Sequence, residues 1–226
     1  MTRTRIVIIG AGDHGRGTLE ILLAAQAERA DLGIEGFLDD DPARHGSSVG
    51  GFPVLGGLEW ASSRRSQEDL RYVIGIAACR AKREIVERLL PLGPQFTNAI
   101  HPSAVLGRGV VIAPGTIINA GVVIAYDTIV GPHTTINLNA TVGHDCRIGA
   151  FTTIGPGANV AGRVTLGNGC NIGLNAAIGK GLALGAWSVI GPGAVVMRDV
   201  PPDARMFGNP ARAVPRGAAG HSTSRT

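Results

Sequence analysis

The sequence predicts two architectures in series, an α/β unit that ends near residue 100 and a parallel β-helix that follows it. Two observations carry this prediction. From Leu106 to Val196 every sixth residue is Leu, Ile or Val, at sixteen consecutive positions. Upstream, residues 5–29 hold an apolar strand, a Gly-x-Gly-x-x-Gly loop and a helical stretch. A period of six fits neither an α-helix nor an uninterrupted strand, and it is typical of hexapeptide β-helices.

The six-residue repeat also predicts which side chains point inward. The position two residues before each apolar anchor lies on the same side of its strand, and it is mostly Thr, Ala, Val, Cys or Ser. The residue after each anchor is often Gly, Ala or Asn, so we expect it to adopt the unusual backbone conformation of a corner. Three strands per turn make coils of eighteen residues, so Tyr126 and His144 should stack on each other.

Residues 1–100 fit a truncated nucleotide-binding fold. The pattern predicts strands over 5–9, 34–38 and 72–77, helices over 16–29 and up to residue 90, and a lead into the coil at 96–100. A glycine loop between strand and helix lets backbone N–H groups reach a phosphate. Asp39 and Asp40 end the second strand, where an acid can hold a ribose hydroxyl. A lone glycine loop can also be turn chemistry alone, and that alternative stays open.

Composition argues against several classes of function. The chain has net charge +4 but no Lys/Arg run interleaved with aromatic residues, so nucleic acid is not an expected partner. No apolar run approaches membrane-spanning length, and the chain enters its first strand without a signal peptide. Cys79, Cys146 and Cys170 show no metal-binding spacing, so no metal is predicted. We therefore expect a cytoplasmic protein with no membrane partner, and a disordered tail over residues 215–226.

Five motifs occur in order along the chain, and as a set they resemble one known family. They are Ile6–Gly15, Gly36–Asp41, Pro53–Gly56, Asn98–Ala104 and Gly143–Gly149. The set resembles the sialic-acid O-acetyltransferase family, which includes the nucleotide-sugar N-acetyltransferases of bacillosamine and perosamine synthesis. The resemblance implies a left-handed β-helix, a homotrimer, and acetyl-CoA bound as co-substrate between neighbouring β-helices. It also implies that the N-terminal unit binds a nucleotide-linked amino sugar.

The expected division of the chain follows from the repeat and the resemblance together. Residues 1–100 form a Rossmann-like nucleotide-sugar-binding domain. Residues 101–214 form a left-handed β-helix acetyltransferase domain, closed by a proline-containing cap that begins at Asp199. Residues 215–226 form the tail.

His144 is the candidate catalytic base. It lies two residues past the anchor Val142, at a corner where side chains point outward, and imidazole titrates near neutral pH. Asp145 beside it can orient the ring and stabilise its charged form, and the resemblance assigns both residues these roles. Attack on a thioester also creates an oxyanion that needs a hydrogen-bond donor. The resemblance points to backbone N–H groups near Ala161 and Gly162. The alternative is that His144 is a solvated corner residue.

The resemblance implies further contacts with both substrates. The expected contacts of the nucleotide sugar are Gly12, Asp13, His14, Asp39, Asp40 and Asn137. The expected contacts of acetyl-CoA are Thr153, Ala161, Gly162, Leu174 and Arg212. His14 could instead cap its helix, and Arg198 or Arg205 could replace Arg212 as a phosphate contact or be solvated. Thr153 stands where bacillosamine-type enzymes place a second histidine near the acetyl donor, and threonine cannot shuttle a proton at neutral pH. Residues 77–80 are smaller and less polar than in many relatives, which leaves the nucleotide open.

The leading prediction is an acetyl-CoA-dependent N-acetyltransferase that acts on the amine of a UDP-, GDP- or dTDP-linked deoxyamino sugar. Three alternatives stay open: O-acetylation of a sialic-acid-type sugar by the same base, a non-catalytic nucleotide-binding trimer, and an NAD oxidoreductase. A γ-class carbonic anhydrase needs three histidines that meet across an interface. Only His133 and His144 lie in the coil, on different edges, so that class is rejected.

Overall fold

The computed structural model describes residues 4–29, 31–64 and 67–215, and the described N-terminal part confirms the α/β prediction. Its strands are β1 Thr4–Ile9, β2 Leu32–Leu38, β3 Ser48–Val49, β4 Phe52–Gly56 and β5 Leu70–Ile74. Its helices are α1 Asp13–Glu28, α2 Glu59–Ser62 and α3 Cys79–Leu89, with short 3₁₀ turns at Pro42–Arg44 and Leu90–Leu92. The sheet order is β3-β4-β2-β1-β5, parallel except for the β3–β4 hairpin. The sequence did not predict the hairpin, because its strands are short and interrupted by glycines and a proline.

The C-terminal part is a left-handed parallel β-helix of two-residue strands, which confirms the six-residue period. In chain order, strands β6 to β22 are Ala99–Ile100, Val105–Leu106, Val111–Ile112, Ile117–Ile118, Val123–Ile124, Ile129–Val130, Thr135–Ile136, Thr141–Val142, Arg147–Ile148, Thr153–Ile154, Asn159–Val160, Thr165–Leu166, Asn171–Ile172, Ala177–Ile178, Ala183–Leu184, Val189–Ile190 and Val195–Val196. Paired strands are eighteen residues apart, as Val123 is from Val105 and Thr141.

The strands form three faces. Face I holds β7, β10, β13, β16, β19 and β22, and face II holds β8, β11, β14, β17 and β20. Face III holds β6, β9, β12, β15, β18 and β21, and is extended by β23 Arg205–Phe207 and β24 Arg212–Ala213. We name each corner by the two faces that it joins. Because β6 already pairs with β9 of the coil, a domain boundary after residue 100 remains a proposal. Apart from Pro215, the predicted tail lies outside the described residues.

The interior of the coil follows the predicted alternation. The apolar anchors from Ile118 to Val196 are buried, and so are the small residues two positions before them. The inward threonines hydrogen-bond to backbone carbonyls, as Thr128 Oγ1 does to the Gly143 carbonyl at 2.8 Å. Cys146 and Cys170 are buried inward thiols, and Cys79 is also buried, with no disulfide between the three. The inner side chains are therefore packed and their polar atoms are paired.

The corners differ from the prediction in one respect. The left-handed backbone conformation occurs three residues after the anchor, not one, at every corner from Gly109 to Gly193. Eight of these positions carry side chains, Asp145 among them. The residue directly after the anchor is small for another reason, which is the close stacking of coils. A Cβ added at Gly143 would lie 2.4 Å from the backbone nitrogen of Gly162 in the next coil.

The N-terminal unit packs on face III and leaves the other two faces uncovered. Ile117 of face III joins the buried cluster of Leu19 and Leu22 from α1. By contrast, the outward residues of the first coils on faces I and II are apolar and 41–58% exposed; they are Val105, Val111, Val123 and Ile129. The described chain therefore shows an uncovered apolar surface on two faces of the coil. None of the described helices combines the length and apolar character needed to cross a membrane.

Candidate active site

His144 and Asp145 form a hydrogen-bonded pair at corner I/II. His144 Nδ1 lies 2.6 Å from Asp145 Oδ2, and the His144 side chain is 29% exposed. An ionised carboxylate only accepts hydrogen bonds, so it places the proton on Nδ1 and leaves the Nε2 lone pair available. The ring stacks on Tyr126 one coil below, with centroids 5.1 Å apart, as the eighteen-residue repeat predicts. The imidazole is therefore fixed in orientation and partly exposed to solvent.

The backbone of Gly162, one coil above, lies directly against the ring of His144. A Cβ added at Gly162 would lie 2.6 Å from His144 Nε2, so any side chain there would press against the reactive nitrogen. Of the two expected oxyanion donors, Ala161 N–H is already used, because it donates to the Ile178 carbonyl at 3.0 Å. Within the described hydrogen bonds, Gly162 N–H has no acceptor. The expected roles of Ala161 and Gly162 toward acetyl-CoA stay predictions.

The same corner becomes basic above Gly162. Lys180 and Arg198 are exposed and follow Gly162 at eighteen-residue intervals. Since stacked strands are about 4.8 Å apart, they lie roughly 10 and 14 Å above His144. The three other expected acetyl-CoA contacts, Thr153 among them, lie elsewhere in this chain. Leu174 is 49% exposed at corner III/I, and Arg212 is exposed on β24, beyond the last coil.

A small pocket between α1 and corner III/I brings together three of the expected nucleotide-sugar contacts. Asp13, His14 and Asn137 line this pocket of about 190 Å³, with Asn119 and Leu138, and we name it the acceptor pocket. Burial, and secondarily the charge of Lys82, lowers the pKa of His14. The described hydrogen bonds include none from the His14 ring to the helix terminus, so a capping role is not observed.

The glycine loop lies at the carboxyl ends of β1 and β2. Gly15 must be glycine, because a Cβ there would lie 1.8 Å from the Gly10 carbonyl oxygen, where α1 starts against the loop. Asp39 holds the loop in place, since its Oδ2 accepts the Ala11 N–H at 2.8 Å. Its Oδ1 accepts the Asp41 N–H at 3.0 Å. The Asp39 carboxylate thus holds the glycine loop in its conformation. Its expected contact with a ribose hydroxyl stays a prediction.

Two clefts flank this loop. One, of about 570 Å³, is lined by Gly12 and Asp13 together with the guanidinium groups of Arg16 and Arg44. The other, of about 230 Å³, is mainly apolar and has Asp40 at its rim. Asp40 accepts the Leu58 N–H and pairs with Arg88. The polar cleft offers N–H groups and positive charge to phosphates, and the apolar cleft offers room for a base.

Thr153 lies under α3 on face III, away from corner I/II of its own chain. It is 7% exposed, and its hydroxyl donates to the Ala77 carbonyl and accepts from Lys82 Nζ, both at 3.0 Å. Its expected contact with the acetyl donor stays a prediction. Within the described residues, no group of three His, Cys, Asp or Glu is arranged to hold a metal ion.

Comparison with known proteins identifies the family. A family model for the PglD N-terminal domain matches residues 5–89. A perosamine N-acetyltransferase from Caulobacter crescentus, PerB, solved with CoA and GDP-perosamine, is 34% identical with TM-score 0.85, covering 93% of this chain and 97% of that one. The acetyltransferase domain of PglB from Neisseria gonorrhoeae, solved with acetyl coenzyme A, is 30% identical with TM-score 0.85, covering 94% and 100%. This chain belongs to the perosamine- and bacillosamine-type N-acetyltransferases of the hexapeptide-repeat family.

A third solved relative supports the same assignment. WeeI from Acinetobacter baumannii is 28% identical with TM-score 0.82, covering 93% of this chain and 100% of that one. A search of the curated proteins gives no match. As a member of this family, the protein is an acetyl-CoA-dependent acetyltransferase.

Sequence reasoning missed four basic residues that the structure of this N-acetyltransferase places near the sites. They are Arg16, Arg44, Lys82 and Lys180. For Lys82 a signal was present, because it shares a helical spacing with Cys79, Val86 and Leu89, which are all buried. For Lys180 the eighteen-residue stacking above His144 was the signal.

Proposed function

We propose that this protein transfers the acetyl group of acetyl-CoA to the amine of a nucleotide-linked deoxyamino sugar, with His144 as general base. The observation that carries this proposal is the hydrogen-bonded His144–Asp145 pair, above which Gly162 places no side chain against Nε2. The 34% identity with a structure that holds CoA and GDP-perosamine supports the choice of substrate class. The three unpaired cysteines support a cytoplasmic location.

The geometry suggests how the residues share the reaction. As the acceptor nitrogen bonds to the thioester carbon, His144 Nε2 takes the nitrogen's proton and becomes positively charged. Asp145 stabilises that charge through Nδ1, and Gly162 N–H donates to the carbonyl oxygen as it becomes negative. The carbon–sulfur bond then breaks, and the proton passes from Nε2 to the sulfur of CoA. His144 returns to its neutral form for the next cycle.

We place acetyl-CoA along corner I/II, with its thioester at His144. Because residue 162 is glycine, no side chain one coil above the base displaces its ring or stands in the way of a pantetheine chain that passes it. Lys180 and Arg198 then stand at the heights that the phosphates of an extended CoA would reach, and cations favour phosphates there. In this arrangement Lys180 and Arg198 lie closer to the CoA phosphates than Arg212 does.

We propose that the active protein is a homotrimer with each site between two chains. The uncovered apolar residues of faces I and II, such as Val123 and Ile129, would pack against neighbouring copies. In one chain His144 and the acceptor pocket lie at different corners, with face I between them. A neighbouring chain can bring its own His144 to that pocket, whereas a lone chain separates the two.

Thiol release from acetyl-CoA tests the reaction itself. Acceptors would be UDP-, GDP- and dTDP-linked 3-amino and 4-amino sugars, with sialic acid as the hydroxyl acceptor. Turnover with an amino sugar supports the proposal, and turnover with sialic acid alone would replace it with O-acetylation. Binding of nucleotide but not of acetyl-CoA would contradict an enzymatic role and favour a non-catalytic trimer.

Mixed trimers test the shared site. Chains with His144→Ala and chains with Asn137→Ala would be inactive or weak when each is assembled alone. Co-assembly creates some interfaces where both residues are intact, so activity should return in part. No recovery in verified mixed trimers would place both residues on the same chain of each site.

A further inference from the structure

Tyr126 is a large aromatic side chain at a corner of the coil where the repeat does not require one. The chain has five Phe, two Trp and two Tyr residues, so aromatic side chains are scarce in it. Core packing does not account for Tyr126, because its side chain is 51% exposed. The contact that its ring makes is with the imidazole of His144, at a centroid distance of 5.1 Å and an interplanar angle of 14°.

The backbone of corner I/II holds these two rings face to face. Asp145 N–H donates to the Tyr126 carbonyl at 3.1 Å. In the next coil, Arg163 N–H donates to the His144 carbonyl at 2.8 Å. Each corner is thus hydrogen-bonded to the corner below it, which fixes the height and direction of both side chains. With the Gly162 backbone against the ring from above, His144 has an aromatic ring under one face and backbone over the other.

The face of the Tyr126 ring favours the charged form of His144. The π-electrons make the face of an aromatic ring negative, so it attracts a cation that lies within about 6 Å of its centroid. When His144 accepts the proton of the acceptor, the imidazole becomes a cation within that distance. The Asp145 carboxylate meets this charge at Nδ1, in the plane of the ring, and Tyr126 meets it from below. An interaction that strengthens as the charge develops lowers the barrier to transfer.

A second stack of histidine and aromatic ring in the coil gives the contrast. His133 and Phe151 lie with centroids 5.4 Å apart and an interplanar angle of 7°. His133 is buried, and burial is the main cause that lowers its pKa to about 4, so its ring stays neutral at pH 7. The Phe151 ring therefore packs against an imidazole that gains no charge. The two stacks share their geometry, but only the stack at corner I/II includes the candidate base.

We propose that Tyr126 is a positioning residue for acetyl transfer, whose ring face orients the His144 imidazole and stabilises its positive charge while it holds the proton of the acceptor. This inference rests on the proposed function, because it requires His144 to become charged in each cycle. Tyr126 itself gains and loses no proton, since the proton passes from the acceptor nitrogen to Nε2 and then to the sulfur of CoA. Tyr126 therefore affects the rate of transfer and not the affinity for either substrate.

Single-turnover thiol release from acetyl-CoA, with the protein in excess and the amino sugar saturating, measures the transfer step. Tyr126→Phe keeps the ring face and should keep the rate within about twofold. Tyr126→Leu removes the ring face, and the rate should fall about fivefold while the KM values of both substrates stay unchanged. Phenylalanines with one, two or three fluorines at residue 126 make the ring face steadily less negative at nearly constant shape. With them the rate should fall in steps toward that of Tyr126→Leu.

The buried stack supplies the matched control. The same fluorinated phenylalanines in place of Phe151 should leave the transfer rate unchanged, because His133 gains no charge in the reaction. A rate that does not respond to fluorine at residue 126, full activity of Tyr126→Leu, or an equal response at residue 151 would overturn the inference.

His144→Ala separates the inference from the proposed function. If this variant keeps the single-turnover rate, the proposed function fails and the inference fails with it. If His144→Ala loses the rate and the fluorine series at residue 126 is flat, only the role of Tyr126 is overturned.

Discussion

Two corners of one coil carry histidines eleven residues apart, and the two side chains differ in almost every property. His144 is partly exposed at corner I/II and pairs with Asp145. His133 at corner II/III is 6% exposed, stacks on Phe151 with centroids 5.4 Å apart, and meets the edge of Phe96 at 4.5 Å. Its Nδ1 is buried without a hydrogen-bond partner. The comparison shows that a repeat fixes where a histidine stands, while neighbouring chain segments decide its chemistry.

The two histidines differ because they stand at different positions after their anchors and because a neighbouring segment covers only one of the two corners. His144 is two residues past its anchor, and His133 is three past its own, in the left-handed position with φ 55°. Phe96, in the segment that leads into the coil, covers corner II/III and removes water from the ring. Burial, and then the charge of Lys82, lowers the pKa of His133 to about 4. His133 is therefore a neutral packing residue at physiological pH.

Removing the exposed histidine should have the largest effect on the reaction. His144→Ala should lower kcat by roughly 1,000-fold, because general base catalysis contributes about 10² to 10⁴. Thiol release with the preferred amino sugar measures this loss, and thermal unfolding should be nearly unchanged. His101→Ala is the matched control, since its ring pairs with Ser103 in the linker. Equal losses in both variants would contradict the role of His144.

Adding a side chain against His144 should have the next largest effect. Gly162→Ala puts a methyl group 2.6 Å from Nε2 unless the ring moves, so the base would be displaced. We expect kcat/KM to fall by about 100-fold, as small misplacements of reacting groups often cause. Steady-state kinetics check the loss, and nucleotide-sugar affinity should be unaffected. Activity within twofold of the unmodified protein would show that glycine at residue 162 is not needed.

Much of the coil could be predicted from the sequence because one local rule repeats. The anchors, the inward small residues and the stacking of Tyr126 on His144 all follow from a period of six. The corner conformation was predicted at the wrong residue. The residue after the anchor is small because the coils stack closely there, and not because it adopts the corner conformation. Gly143 shows this, since a side chain there would hit the next coil.

The site was predictable only where chemistry and repeat coincide. The pair of His144 and Asp145 is local in sequence, so its geometry could be anticipated. Lys82 reaches Thr153 across 71 positions of sequence, and Asp39 reaches Ala11 across 28, so neither pairing has a local signature. Such contacts depend on how the N-terminal unit packs on face III. Helical spacing with Cys79, Val86 and Leu89 could have placed Lys82 on a buried face, but it gives no information on its partners.

The buried histidine predicts a pH-dependent stability. Because the pKa of His133 is lowered, protonation favours the unfolded chain. The free energy of unfolding is therefore undiminished by this group above about pH 6.5 and decreases as the pH falls toward 4. The shift from 6.5 to about 4 corresponds to roughly 3 kcal/mol at most. His133→Phe should remove this loss, and Phe151 already occupies the same left-handed position one coil above.

Urea unfolding of His133→Phe and of the unmodified protein, each at pH 7.5 and pH 5, measures this difference in stability. The variant should match the unmodified protein at pH 7.5 and exceed it at pH 5. His14 also has a lowered pKa and adds acid sensitivity of the same sign, so the variant isolates the share of His133. If the variant and the unmodified protein lose the same amount of stability between pH 7.5 and pH 5, then His133 is hydrated in solution.

The smallest effect concerns the direction in which acetyl-CoA runs along the open corner. Lys180→Ala and Arg198→Ala each remove an exposed charge above His144, and each should raise the KM for acetyl-CoA by about fivefold at low salt. Arg108→Ala is the matched control, because Arg108 is exposed at the same corner two coils below. It should leave that KM unchanged. The reverse pattern would mean that the co-substrate runs in the opposite direction, with its phosphates below Tyr126 and the acceptor on the Gly162 side of His144.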